Sequence, residues 1–178
     1  MGEKKEVVVV LGMHRSGTSA IANAISKMGY YLGEDLLAKD KDNEKGYFEN
    51  TDIVLLNSMI CASNGENWDC VTGINYNFDN IKSAFFDKAL NIIKKLLDEN
   101  DSIAIKDPRI CKTLPVWQEV FRFLDMDVKY IYVYRNPMSA AGSLNKRDGM
   151  DINIAEKLWF HYNYRALEHV DSEIYKIN

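Results

Sequence analysis

"VVVVLGMHRSGTSAIANAI", Val7 to Ile25, decides how the chain is read. Val7 to Leu11 is an unbroken apolar run, mostly β-branched, the pattern of a strand buried on both faces of a parallel sheet. Gly12 ends it. Beyond, Ala20, Ile21, Ala24, Ile25 and Met28 recur at helical spacing until Gly29, which supplies a stop. The unit is therefore strand, tight loop, helix. Gly12 and Gly17 hold the Walker A spacing G-x-x-x-x-G, but Thr18 stands where that motif needs lysine. In such a turn the backbone amides of Arg15 to Ser19 converge on an anion, aided by the partial positive charge of the helix start. The cation of the loop is Arg15, ahead of the second glycine, where its fork can hold a terminal anionic group. This suits a less charged, metal-free ligand better than a nucleoside triphosphate with magnesium.

The same alternation continues outward. Residues 38–50, "AKDKDNEKGYFEN", read as a surface loop, and Thr51 to Ala62 as a helix. "SNGENWDCVTGINYNFDN" is long and irregular, as an acceptor wall or lid would be. Ile81, Phe85, Ala89, Ile92 and Leu96 form a helical stripe, "SIAIK" a second buried strand, and Val116 to Leu124 a helix. "VKYIYVY" is a third strand ending at Arg135; Pro137 opens a helix, and Leu158, Trp159, Tyr162, Ala166 and Val170 mark a last amphipathic one. No closing strand is read in "DSEIYKIN". Residues 1–178 are expected to form one domain, with room left for a missing C-terminal segment.

Strands alternating with helices predict a three-layer α/β/α fold around a central parallel sheet, in the manner of P-loop NTPases. Ligands then collect beyond the carboxyl ends of the strands. The loop after Leu11, "KDPR" after Ile105 and "RNPMS" after Tyr134 all fall there.

Composition narrows the partners. Apolar residues at 47% and charged residues at 27% indicate neither a disordered nor a membrane class, and a net charge of -4 argues against a nucleic-acid coat. No stretch approaches the roughly 18 apolar residues of a spanning helix, so no stable membrane insertion is expected. The three cysteines, Cys61, Cys70 and Cys111, lack C-x-x-C spacing and suggest neither disulfides nor zinc. A reducing, cytoplasmic location is expected.

"HRSGTS" and "YRNPMSAAGS" together resemble two motifs of the sulfotransferase family, whose members use 3′-phosphoadenosine 5′-phosphosulfate (PAPS). The first is similar to the family's 5′-phosphosulfate loop, P-K-S-G-T-T, with Arg15 in the lysine place. The second is similar to its 3′-phosphate motif, in which a strand-end arginine and a serine eight residues later hold that phosphate. The pattern "HRSGTS... GYFE... KDPR... YRNP" resembles bacterial and Golgi-type members.

The resemblance implies that His14, Arg15, Ser16, Gly17, Thr18, Ser19, Arg135 and Ser143 bind PAPS as co-substrate, with no metal. It implies transfer of the sulfuryl group to a hydroxyl or amine of a small-molecule, lipid or saccharide acceptor. Such an in-line displacement needs a base for the acceptor proton and cations for the charge left on the departing nucleotide. Arg15 and Lys106 are candidates for the second task. Glu49 of "GYFE" is the first candidate base and Asp107 the second. Trp68 is open to stacking on adenine or a sugar, and Arg109 either to anchoring an acidic acceptor or to pairing with Asp107. Two other readings remain open at this point: a P-loop nucleotide kinase or hydrolase, with Ser19 and Asp107 at magnesium, and a nucleotide-binding module without turnover.

Overall fold

The computed structural model describes residues 4–41, 43–71, 78–98, 100–170 and 173–178. Among the described residues, four strands form one sheet: β1 (Glu6–Leu11), β2 (Ser102–Lys106), β3 (Asp127–Val133) and β4 (Ile174–Ile177). Their order is β2-β1-β3-β4 and every pairing is parallel. Val9 sits opposite Ile105 on one side and Tyr130 on the other, so β1 is a central strand, paired on both sides as β3 is. Parallel neighbours need crossover connections, and among the described residues six helices supply them: α1 (Thr18–Lys27), α2 (Thr51–Ser63), α3 (Phe78–Leu97), α4 (Ile110–Phe123), α5 (Pro137–Asp148) and α6 (Ile152–His169).

The apolar run of β1 divides by alternation between two cores. Val8 and Val10 face Ala22 and Ile25 of α1, with Ala104 and Val133 of the flanking strands. Val7, Val9 and Leu11 face the larger core, built from α2, α3, α4, α5 and α6. Each fully buried valine or leucine contributes about 1.5–3 kcal/mol, so β1 anchors both layers. The architecture is the three-layer α/β/α sandwich expected.

Three details differ from the sequence reading. First, α4 begins at Ile110, six residues before Val116. Pro115 reads as a breaker, yet it sits inside the helix, where it removes a single backbone donor. The first turn is secured instead from outside: Asp107 Oδ1 accepts from the Arg109 amide at 3.1 Å, and Asp107 O from the Ile110 amide at 2.9 Å. Second, "DSEIYKIN" does contain a strand, β4, whose short partly polar sequence suits a sheet edge. Third, the polar segment 38–50 is a surface loop only in part, because Glu49 and Asn50 at its end are 5% and 6% exposed. Asn50 caps α2, its side chain accepting from the amides of Asp52 and Ile53 at 3.0 and 3.3 Å. Of the long irregular stretch, residues 72–77 lie outside the described ones, and residues 78–80 already belong to α3.

Candidate active site

The loop after β1 bends as its glycines allow. Gly12 has φ +150, and a Cβ there would lie 2.4 Å from the Val133 carbonyl oxygen, so β3 passes too close for any side chain. Gly17, at φ +95, is the residue before α1 and offers no side-chain cap to its first amides. Those amides of Thr18 and Ser19 have no intrahelical acceptor. Between the glycines Arg15 itself takes a left-handed φ of 66, a conformation costing about 1–2 kcal/mol for an L-residue. It is held from both ends. Arg135 Nη1 donates to the Arg15 carbonyl at 3.0 Å, and Arg15 Nε donates to Ser143 Oγ at 2.8 Å.

A cavity of about 640 Å³ opens beyond the carboxyl ends of β1, β2 and β3. His14, Arg15, Gly17, Thr18 and Ser19 line it from the first loop, Lys106 and Arg109 from the end of β2, and Arg135 from the end of β3. Glu49 and Trp68 close it from the two long loops, and Arg147 of α5 lines it too. Three segments distant in sequence thus share one space. Among the described residues, the buried Ser16 Oγ and His14 Nε2 have no hydrogen-bond partner. Buried polar atoms are seldom left so, and a cradle of open amides beside an unpartnered hydroxyl fits an anionic group.

The floor is a buried ion pair. Lys106 Nζ, 2% exposed in its side chain, lies 2.5 Å from Glu49 Oε1 and also donates to Ser19 Oγ at 3.2 Å and the Tyr47 carbonyl at 3.1 Å. Lys106 therefore spans from the carboxylate to the start of α1. Burial pushes the proton affinity of Glu49 above the usual carboxylate range, and the nearby charge of Asp107 adds to this against the opposing pull of Lys106. Arg109 Nη2 stands 3.9 Å from Glu49 Oε2, while its Nε donates to Asp107 Oδ2 at 3.0 Å. Asp107 is wholly buried and does not line the cavity.

His14 packs edge-on against Trp68 and Tyr162, with ring centroids 4.9 and 5.6 Å away. Loss of hydration, reinforced by Arg109, Arg147 and Lys106, holds it well below its ordinary pKa, so the imidazole is neutral. Arg147 lies over the Trp68 ring at 5.5 Å and pairs with Asp148 at 2.7 Å. Sequence reasoning missed Arg147. It follows Ser143 by one helical turn on α5, and that i, i+4 spacing was the signal available. Of the other candidates, Ser16 and Ser143 are not among the lining residues.

The fold and this site define a parallel α/β protein that gathers cations around a glycine-cornered anion loop. The model of the sulfotransferase domain matches residues 5–159, so the chain belongs to the sulfotransferase family, and its chemistry is sulfuryl transfer. No curated protein matches the chain at a significant level. Among the described residues no helix is long and apolar enough to cross a membrane, and no cluster of three or more His, Cys, Asp or Glu is placed to hold a metal.

Proposed function

We propose that the chain transfers the sulfuryl group of PAPS to a hydroxyl or amine of a small-molecule, lipid or saccharide acceptor by in-line displacement at sulfur. One observation carries the reading: Arg15 and Arg135 line the same cavity and touch, so a single ligand with anionic groups at both ends meets both. The unpartnered Ser16 hydroxyl and the open amides of α1 suit the 5′-phosphosulfate, and Arg135 suits the 3′-phosphate, with Ser143 reaching the site through its bond to Arg15. A volume of about 640 Å³ falls in the range of cofactor-sized sites, roughly 300–1,000 Å³. The three cysteines are free, in keeping with a reducing cytoplasmic setting.

The donor, when bound, supplies the sulfuryl group and a nucleotide leaving group. Arg15 and Lys106 neutralise the charge that builds at the loop as the old bond breaks. Glu49 takes the acceptor proton. It is favoured over Asp107 because it lines the cavity and its affinity for a proton is raised, whereas Asp107 is enclosed. Lys106 links the two tasks, bridging Glu49 to Ser19 beside the donor loop.

The test is transfer from labelled PAPS to a panel of phenols, sterols and sugars with divalent metals chelated. Product with at least one acceptor is expected, falling about 10²- to 10⁴-fold in Glu49→Gln. Failure with every acceptor, alongside magnesium-dependent turnover of ATP, would sink the proposal.

A further inference from the structure

A buried network runs from the core of α4 to the cavity floor. Asn57 of α2 is completely enclosed. Its Oδ1 accepts from Trp117 Nε1 at 2.9 Å and from Thr113 Oγ1 at 2.7 Å, and its Nδ2 donates to Asp107 Oδ2 at 2.8 Å. Asp107 passes the connection to Arg109, and Arg109 to Glu49.

The donor and acceptor types in this chain permit one assignment. An indole N–H only donates, so the Asn57 atom facing Trp117 is the carbonyl oxygen, and the atom facing Asp107 is the amide nitrogen. That nitrogen also only donates. The Arg109 guanidinium and the Arg109 backbone amide, the other partners of Asp107, are donors as well. The Asp107 carboxyl is thus fixed in orientation by three N–H donors.

We propose that Asn57 is a positioning residue for sulfuryl transfer: oriented by Trp117, it keeps Asp107 turned onto Arg109, which fixes the charged frame around Glu49. The inference rests on Glu49 being the base. The ionisable groups around Glu49 are Lys106 from β2, Asp107 and Arg109 from the segment after it, and Lys45 and Tyr47 from its own loop. The remaining walls of the cavity contribute His14, Arg15, Arg135 and Arg147. Among these Asp107 is the one buried anion, and its charge opposes ionisation of Glu49. Without the Asn57 N–H, Asp107 is free to turn and releases Arg109 towards Glu49. A closer cation lowers the proton affinity of Glu49 and makes it a weaker base.

The experiment is kcat/KM against pH for the whole chain, in wild type, Asn57→Leu and Trp117→Phe, with Glu49→Gln alongside. Trp117→Phe keeps most of the ring volume and removes the donor-only group, leaving Thr113, whose hydroxyl can donate or accept, to let the amide turn. In both Asn57→Leu and Trp117→Phe the acid limb is expected to move to lower pH by about half to one unit. Their plateau falls about 10- to 100-fold, with the KM for PAPS within about twofold of wild type. Should Asn57→Leu fail to fold, Trp117→Phe decides. A folded variant that is slower but keeps the wild-type acid limb overturns the proposal, since a merely structural role lowers the active fraction without moving a limb. Wild-type rate and limb in Glu49→Gln would instead remove the base assignment, a separate failure.

Discussion

Arg15 Nε donates to Ser143 Oγ at 2.8 Å, so the cation of the first loop is held by the serine of α5. The two motifs that stand at opposite ends of the sequence pattern are thereby one structure. Ser143→Ala removes a hydrogen bond to a charged group, worth about 1.5–3 kcal/mol, and releases the guanidinium. Binding of 3′-phosphoadenosine 5′-phosphate, followed by calorimetry, is expected to weaken at least about tenfold. Unchanged affinity would mean that Ser143 neither steadies Arg15 nor meets the nucleotide.

Gly12 and Gly17 differ in what they protect. A Cβ at Gly12 would meet the Val133 carbonyl oxygen at 2.4 Å and Thr18 Cγ2 at 2.8 Å, whereas nothing lies within 4 Å of one at Gly17. Gly17→Ala should therefore cost only its left-handed strain, about 1–2 kcal/mol. Gly12→Ala forces β1 and β3 apart and costs more. Urea denaturation of the two variants measures the difference, and equal stability would contradict the close approach.

Lys112 is a buried cation outside the cavity. Its Nζ reaches Glu66 Oε2 at 3.2 Å and the carbonyls of Asn67 and Cys70 at 3.4 and 3.1 Å, tying down the loop that carries Trp68. Lys112→Met removes the buried cation beside Glu66 and its three hydrogen bonds, and is expected to destabilise by about 3–5 kcal/mol. Adding Glu66→Leu should recover most of that. Trp68 contributes to the emission of the cavity wall, so a loosened loop also registers as a red shift.

Acid weakens the fold through His14. Its pKa in the folded chain lies well below the ordinary 6.5, so the unfolded chain takes up a proton that the folded one refuses. Stability is present above about pH 6.5 and declines as the pH falls through it. His161 and His169 shift the same way, so His14→Phe flattens the decline between pH 7 and pH 5 without abolishing it. Melting temperature against pH checks this; an unaltered slope in the variant would exclude His14 as a source.

Much of this was legible in local sequence, and the rest was not for physical reasons. The β1 run, the "SIAIK" strand and the stripe of α3 declare themselves because burial imposes a period within a few residues. Arg15 and Arg135 stand out because each follows a strand in a recognisable loop. The start of α4 was hidden by Pro115 and by Lys112 and Thr113, polar residues that are buried only because Glu66 and Asn57 meet them from α2 and the loop after it. β4 is too short and polar to announce itself, and becomes a strand by pairing with β3. The Asn57–Asp107–Arg109 network joins residues 50 positions apart, a relation that no window of sequence displays.

Both arginines gripping one doubly anionic nucleotide is the claim on which the rest stands, and calorimetry in EDTA tests it most directly. Wild type should bind 3′-phosphoadenosine 5′-phosphate without metal; Arg15→Ala and Arg135→Ala should each weaken it at least about tenfold, with adenosine 5′-phosphate indifferent to Arg135→Ala. Affinity unchanged in both variants, or binding of ATP with magnesium alone, would contradict it.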